Sequence, residues 1–148
     1  MDKLYLSWDD ITKFTKTIHE QTKNLGNNFG IIGLSRGGLI PAVLFSHLKD
    51  YKDLFVTGIK SYQGQRKDTE IFYQIAAKYN FEEKDFVYVV DDICDTGSTF
   101  KAVENYMLPI KLVSISMVYR QNENYKPNYY GIELSDDRWV VFPWEETK

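Results

Sequence analysis

Residues 86–99 read Phe-Val-Tyr-Val-Val-Asp-Asp-Ile-Cys-Asp-Thr-Gly-Ser-Thr, and this stretch decides the fold that we expect. The first five side chains are β-branched or aromatic, which is typical of a strand buried on both faces. A polar loop follows, and a helix is predicted from about Ser98 to Met107, where Pro109 closes it. A buried strand, a polar loop and a helix in this order indicate one unit of an α/β fold.

Strands and helices alternate along the rest of the chain as well. The capping-box spacing of Ser7 and Asp10 predicts the start of a helix, for which Gly26 is the expected end. The other predicted helices lie at 39–48 and around 71–79, and the other predicted strands lie at 29–34, 54–59, 112–119 and 139–142. No linker or internal repeat divides these elements, so we predict a single α/β domain over residues 1–148 with a mainly parallel sheet.

The composition supports this class and excludes several others. With 148 residues, 43% apolar and 16% aromatic, the chain can bury an ordinary core, which excludes disorder, collagen and coiled coil. A formal charge of −3 provides no basic field, so we expect no nucleic-acid partner. The apolar run 39–45 is too short to span a membrane, and residues 1–3 begin no signal peptide. Because the single cysteine, Cys94, cannot form an intramolecular disulfide, we expect a cytoplasmic location.

The polar part of residues 86–99 has the residue types of a phosphate site. Residues 96–99 offer backbone N–H groups, hydroxyls and a helix N-terminus, which suit a phosphate at the carboxyl end of a parallel strand. Free carboxylates would repel a phosphate, so Asp91 and Asp92 make sense if they face sugar hydroxyls or a Mg²⁺ ion that also contacts the ligand. The alternative is a solvated turn with a Thr or Ser helix cap, which the buried strand and the paired acids disfavour.

Asp95-Thr96-Gly97-Ser98 is also the signature tetrapeptide of aspartic proteases. Those enzymes use a pair of carboxylates on an all-β scaffold. The predicted helices disfavour this alternative. So does Ile31-Ile32-Gly33, which lies before the Asp-Thr-Gly sequence, whereas the retroviral pattern has such a run after it.

Residues 89–99 resemble the phosphoribosyl pyrophosphate (PRPP) binding motif of type I phosphoribosyltransferases: apolar residues, two acids, two more apolar residues, then Asp-Thr-Gly-x-Thr. The resemblance implies the fold of that family, a mainly parallel sheet flanked by helices with a small C-terminal hood. It also implies that Asp91 and Asp92 bind the ribose hydroxyls and the Mg²⁺ complex, with Asp92 as the metal ligand, and that Asp95 is the general base toward the purine. The 5′-phosphate would be bound by Asp95, Thr96, Gly97, Ser98 and Thr99.

A second loop resembles the pyrophosphate loop of the same family. Ser35, Arg36 and Gly37 follow the predicted strand 29–34, and the family often has a cis peptide here, expected between Arg36 and Gly37. Glycine lets backbone amides approach an anion closely, and the arginine adds positive charge. A purely structural Gly-Gly turn is the alternative.

The polar stretch 61–68 predicts an exposed, mobile loop. It resembles the flexible catalytic loop of the family, whose closure would shield the reaction from water. The residues expected to act in it are Ser61, Tyr62, Arg66 and Lys67, of which Arg66 or Lys67 would reach the leaving pyrophosphate. A solvated basic turn is the alternative.

The tail narrows the substrate. Residues 139–145 resemble the C-terminal segment of the short xanthine-guanine type of purine phosphoribosyltransferase. The resemblance implies that Trp139 stacks on the purine and that the backbone of Val140 contacts the edge of the purine ring. Alternatively, Trp139 is a core residue. That type usually has a lysine after the preceding strand, where it donates to the purine 6-oxygen. This chain has none there, and Arg120 is the nearest candidate, although an arginine differs from a lysine in size and reach.

Taken together, the resemblance implies a purine salvage enzyme that transfers the 5-phosphoribosyl group from PRPP to a 6-oxopurine. The products would be a nucleoside monophosphate and pyrophosphate. Mg²⁺ is the expected cofactor, and a homodimer or homotetramer is the expected assembly. Guanine, xanthine and hypoxanthine stay open as the base. The alternatives are a PRPP-sensing regulator, which would require a basic nucleic-acid surface, and a phosphoribosyltransferase for adenine or orotate.

Overall fold

The computed structural model describes residues 2–62, 65–72 and 81–145, with the backbone alone for 59–62 and 65–72. Its α-helices are α1 (Trp8–Gln21), α2 (Leu39–Leu48) and α3 (Ser98–Met107), and a short 3₁₀ helix covers Pro143–Glu145. Its strands are β1 (Lys3–Tyr5), β2 (Phe29–Ser35), β3 (Phe55–Tyr62), β4 (Gln65–Phe72), β5 (Phe86–Cys94), β6 (Leu112–Arg120), β7 (Tyr129–Leu134) and β8 (Trp139–Val141).

Six of the described strands form the main sheet, in the order β4-β3-β2-β5-β6-β7. Every neighbouring pair is parallel except β3 and β4, which are antiparallel. The predicted α/β fold with a mainly parallel sheet is therefore confirmed. Because β2, β5 and β6 are parallel neighbours, their carboxyl ends lie at one edge of the sheet, where ligands bind in folds of this kind.

Residues 86–90 of β5 are buried on both faces of the sheet, as their uninterrupted apolar sequence predicts. Tyr88 is fully buried on the side of α1 and α2, and its ring meets that of Phe45 edge-on at 5.0 Å between centroids. Val89 belongs to the cluster on the other side, together with Phe100 of α3. Helices on both sides thus hold the strand from which the acidic residues continue.

The N-terminal helix begins where its sequence predicts and ends earlier. The Ser7 hydroxyl accepts from the Asp10 N–H at 3.0 Å, and the Asp10 carboxylate accepts from the Ser7 N–H at 2.8 Å, which forms the predicted capping box. The helix ends at Gln21, where Gly26 was the expected end. Thr22 is the C-cap residue, with a backbone φ of −102° and ψ of 3°, and its hydroxyl donates to the carbonyl oxygen of Ile18 at 2.9 Å.

A second sheet of two parallel strands, β1 and β8, joins the N-terminal segment to the tail. Lys3 is paired with Trp139 and Tyr5 with Val141. The predicted hood is therefore built from the beginning of the chain as well as from its C-terminal part. A strand of three residues needs such a partner, because its backbone groups have no other way to be paired.

Two predictions about the middle of the chain are wrong. The residues that follow Val90 continue β5 to Cys94, so Asp91 and Asp92 belong to the strand itself. Of the stretch 61–68, predicted as a loop, residues 61–62 belong to β3 and residues 65–68 to β4, and Ser61 is paired with Thr69; residues 63 and 64 lie outside the described residues. Pairing between backbones stabilises this hairpin without apolar periodicity, which is why its sequence did not predict it. Of the helix predicted at 71–79, the first two residues end β4, and 73–79 lies outside the described residues.

Within the described part of the chain, no helix has the length and apolar character needed to cross a membrane.

Candidate active site

The carboxyl end of β5 and the start of α3 enclose a cavity of about 250 Å³ that is lined by residues 91–100. β2 and β6 flank β5 here, since Gly33 is paired with Val90 and Asp91 with Ser116. The structure therefore brings the predicted acidic, arginine and Arg120 segments to one edge of the sheet.

Asp91 and Asp92 form a pair of partly buried carboxylates at this edge. The Asp91 carboxylate accepts from the Asp92 N–H at 2.9 Å, and the Asp92 carboxylate accepts from the Ile93 N–H at 2.7 Å. Burial, followed by the charge of Asp92, raises the pKa of Asp91 well above its ordinary range, and burial also raises the pKa of Asp92. Two desolvated carboxylates side by side are a donor set that a divalent cation or ribose hydroxyls would satisfy. Mg²⁺ thus fits the residues present.

The metal would depend on oxygen ligands from elsewhere. In the described parts of the chain, no three acidic, histidine or cysteine side chains are grouped so that they could hold a metal ion. Mg²⁺ commonly uses one or two carboxylates and takes its remaining ligands from water and substrate phosphates.

The start of α3 has the features of a phosphate site. Gly97 is the N-cap residue, and it has no side chain to accept from the first N–H groups of the helix. Its φ of 84° lies in the left-handed region, which favours glycine. The Thr96 hydroxyl donates to the Ser98 hydroxyl at 3.1 Å and accepts from the Ser98 N–H at 3.3 Å, so the two hydroxyls are held together beside the helix N-terminus.

Tyr125 packs against Gly97 in this turn. The sequence did not predict a role for this residue. A Cβ atom built on Gly97 would overlap the Cβ of Tyr125. The Tyr125 hydroxyl donates to Glu104 at 2.6 Å and is 2.8 Å from the Ser114 hydroxyl, and its ring is stacked on Phe100 at 5.6 Å. Burial raises the pKa of Tyr125, so it stays a neutral hydrogen-bonding group. No local signal in the sequence connects residue 125 with residue 97.

The arginine loop is packed directly against the acidic pair. A Cβ atom on Gly37 would overlap the Asp92 carboxylate, and one on Gly38 would overlap the Val90 carbonyl oxygen. The predicted Ser35, Arg36 and Gly37 therefore lie beside Asp92. The cis peptide expected between Arg36 and Gly37 lies one bond earlier, between Ser35 and Arg36. Cis bonds without proline are so rare that residue type gives no means of locating them.

The β3–β4 hairpin extends past the same edge of the sheet. Gly58 of β3 is paired with Ser35, and Ser61 and Tyr62 lie further along β3 in the same direction. Arg66 and Lys67 lie on the returning strand β4. The four residues predicted to act in a flexible loop therefore lie on strands, at the same end of the sheet as the acidic pair.

Asp95, the predicted general base, is held from two sides. Its side chain is 64% exposed, and its Oδ1 is 3.3 Å from Nε of Arg120. Its carbonyl oxygen accepts from Nδ2 of Asn122 at 2.7 Å. The carboxylate is thus accessible to a ligand while its backbone is fixed.

Arg120, the predicted donor to the purine, contacts the turn before β8. Its Nη1 donates to the carbonyl oxygen of Asp136 at 2.6 Å, and its Nη2 donates to that of Arg138 at 2.9 Å. A guanidinium has five N–H groups. Two of them are used by these carbonyl oxygens, and Nε forms an ion pair with Asp95, so two or three N–H groups remain for a purine.

Trp139 is 61% exposed, so the alternative that it is a core residue is wrong. The backbone N–H of Trp139 donates to the carbonyl oxygen of Asp2 at 3.1 Å. This bond fixes the backbone and leaves the indole ring accessible. Val140 is buried and is paired with Leu4 of β1, so its predicted contact with the purine stays a prediction. Behind them, the rings of Phe142 and Trp144 are stacked at 4.8 Å.

Cys94 is buried in this segment, and burial raises the pKa of its thiol to about 12. It is therefore a protonated, apolar side chain at neutral pH and no nucleophile.

The chain is similar to known proteins over almost its whole length. A family model described as the phosphoribosyl transferase domain matches residues 3–147. A xanthine-guanine phosphoribosyltransferase of Idiomarina loihiensis is 27% identical, over 97% of this chain and 87% of its own length. One from Chromohalobacter salexigens is 29% identical, over 95% and 82%. The crystal structure of a purine phosphoribosyltransferase from Pyrococcus horikoshii is similar with a TM-score of 0.85, at 30% identity, over 100% of this chain and 97% of that one.

Proposed function

The chain belongs to the phosphoribosyl transferase domain family, and from this premise we propose that it transfers the 5-phosphoribosyl group of PRPP to a 6-oxopurine. The observation that carries the proposal is the pairing of an acidic phosphate loop with an exposed indole ring, linked by Arg120. The names of the relatives, which are xanthine-guanine and purine phosphoribosyltransferases, support the same substrate class.

PRPP would bind along the cavity at the end of β5. The N–H groups at the start of α3, with the hydroxyls of Thr96, Ser98 and Thr99, would hold the 5′-phosphate. Asp91 and Asp92 would accept hydrogen bonds from the ribose hydroxyls, and Asp92 would be the ligand to Mg²⁺. When bound, Mg²⁺ supplies positive charge to the pyrophosphate.

The pyrophosphate would lie against the arginine loop. Ser35 and Gly37 offer backbone N–H groups there, and Arg36 offers positive charge to the leaving group. Arg66 and Lys67 of the β3–β4 hairpin would add further positive charge to the leaving pyrophosphate. Closure of that hairpin would exclude water from the reacting carbon.

The purine would stack on Trp139 and contact the backbone of Val140. As the bond between C1′ and the pyrophosphate oxygen breaks, C1′ becomes cationic and the purine nitrogen forms a new bond to it. The proton on that nitrogen passes to the carboxylate of Asp95. Arg120 remains a predicted donor to the 6-oxygen through an N–H group that its other contacts do not use.

The test is a PRPP-dependent assay with Mg²⁺ across guanine, xanthine, hypoxanthine, adenine and orotate. We expect nucleotide formation with at least one of the first three. Turnover with adenine or orotate alone would show that the substrate is a base other than a 6-oxopurine. Tight PRPP binding without any turnover would indicate a PRPP-sensing regulator instead of an enzyme.

The proposal includes an assembly of two or four copies. Several large apolar side chains are exposed on the described surface, among them Val43 and Val56. Light scattering after size-exclusion chromatography measures the number of copies directly, and a monomeric mass would contradict this part of the proposal.

A further inference from the structure

Arg120 contacts two parts of the chain that are remote in sequence, the loop after β5 of the main sheet and the turn before β8 of the small sheet. Its Nε is 3.3 Å from Oδ1 of Asp95, which follows β5. Its two terminal nitrogens donate to carbonyl oxygens of Asp136 and Arg138, in the turn that precedes Trp139. A single planar side chain therefore spans the gap between the proposed proton acceptor and the proposed purine platform.

We propose that Arg120 is a positioning residue, which sets the distance and angle between the Asp95 carboxylate and the Trp139 turn. This inference rests on the proposed function and deepens it. Its main role is thereby distinct from that of a donor to the purine 6-oxygen.

The surroundings of Arg120 suit such a role. Its side chain is 20% exposed, whereas that of Asp95 is 64% exposed, so the arginine is the fixed partner and the aspartate the accessible one. Asn122, two residues further on, donates to the carbonyl oxygens of both Asp95 and Arg120, at 2.7 and 3.1 Å. The segment after β6 thus holds Asp95 by its side chain and by its backbone.

The geometry of the contacts requires an arginine. Three acceptors in two segments are reached by three nitrogens of one rigid plane. A lysine ammonium is a compact point charge on a flexible stem and reproduces the charge without the fixed angles between the donors. Arginine and lysine are therefore expected to differ here, although either could donate to a carbonyl oxygen of a base.

The consequence for the reaction is one of alignment. The purine must present its nitrogen to C1′ and its proton to Asp95 while its ring lies on Trp139. A displacement of about 1 Å in such an arrangement can cost on the order of 100-fold in rate.

The experiment compares Arg120→Met and Arg120→Lys with the unmodified protein. Substrates are hypoxanthine and 6-mercaptopurine, whose 6-sulfur is a weaker acceptor than oxygen. Arg138→Met is the matched control, because Arg120 uses only the backbone carbonyl of Arg138, and that side chain pairs with Asp136 at the surface. Thermal unfolding of each variant verifies that it is folded.

We expect kcat to fall by about 10- to 100-fold in both Arg120 variants, and by a similar factor with either purine. The KM for PRPP should change by less than about twofold, since a lost alignment acts on the chemical step. Arg138→Met should keep the activity of the unmodified protein. If Arg120→Met does not fold, Arg120→Lys still decides, because the proposal requires that it also lose kcat.

Two results would overturn the proposal. If Arg120→Lys is fully active while Arg120→Met raises KM for hypoxanthine more than for 6-mercaptopurine, Arg120 is a donor to the base alone. If Arg120→Met lowers thermal stability and keeps full kcat below its unfolding temperature, its contacts serve folding only. Absence of nucleotide product from the unmodified protein with guanine and xanthine as well as with hypoxanthine is a separate outcome, which would overturn the proposed function and this inference with it.

Discussion

Replacing Gly97 with alanine should destabilise the protein and weaken PRPP binding at the same time. Gly97 has a φ of 84° at the start of α3, and a Cβ atom there would overlap the Cβ of Tyr125. The overlapping atom is the first carbon of the tyrosine side chain, so rotation of the ring cannot relieve the overlap. Either the phosphate turn or the segment that carries Tyr125 must move.

The magnitude has two contributions. A left-handed backbone costs an L-residue about 1–2 kcal/mol. Overpacking against a well-packed neighbour costs about 1–3 kcal/mol, so the expected loss in free energy of unfolding is about 2–5 kcal/mol in total. Gly26→Ala is the matched control. Gly26 has a φ of 115° and its Cβ would meet only Phe86, at 4.0 Å, so this variant should show the backbone cost alone.

Urea unfolding followed by circular dichroism measures both variants. With a slope of about 2 kcal/mol per M, the midpoint for Gly97→Ala should fall by roughly 1–2.5 M, and that for Gly26→Ala by less. The KM for PRPP should rise for Gly97→Ala alone, because only this variant displaces N–H groups at the phosphate site. Equal midpoints for the two variants would refute the contact with Tyr125 as a source of strain. An unchanged KM for PRPP would refute the assignment of this turn to the phosphate.

Three further predictions concern charge and stacking. Asp95→Asn should lower kcat by about 10²- to 10⁴-fold with little change in the KM for PRPP; near-full activity in a steady-state assay would remove Asp95 as the proton acceptor. Asp91→Asn should raise the melting temperature of the ligand-free protein at high pH. Because folding raises the pKa of Asp91, its contribution to stability is present at low pH and lost as the pH rises through the raised value, so the two melting curves should diverge in that direction. A constant difference between pH 4 and pH 9 would contradict this. Trp139→Ala should raise the KM for the purine by about 5- to 150-fold, from a stacking energy of about 1–3 kcal/mol, without loss of stability, because the ring is 61% exposed. Trp144→Ala removes a ring that is stacked on Phe142. It should therefore lower the melting temperature in thermal unfolding and leave the KM for the purine unchanged.

The parts of the fold that could be predicted are those encoded locally. The apolar run before Asp91 predicts β5, and the capping box predicts the start of α1 at the correct residue. By contrast, β7 was missed, because its Gly131 reads as a turn residue. In the structure a Cβ atom at that position would overlap Phe14, so glycine is needed for α1 to pack on the strand.

The site divides in the same way. The acidic pair and the turn before α3 are contiguous, so their residue types indicate the chemistry directly. The contacts of Arg120 with the Asp136 and Arg138 carbonyls, and the packing of Tyr125 under Gly97, join segments that meet only in the folded chain. In each case one partner is a backbone carbonyl group or a glycine, which offers no side chain. The residue types in the sequence therefore do not reveal these contacts.

The pairing of β1 with β8 has a consequence for biosynthesis. Lys3 is synthesised well before its partner Trp139, since almost the whole of this sequence lies between them. The main sheet has all its strands once residue 134 has emerged, whereas the platform for the purine cannot form before both strands of the small sheet are outside the exit tunnel. A nascent chain would thus complete the proposed PRPP pocket before the proposed purine platform.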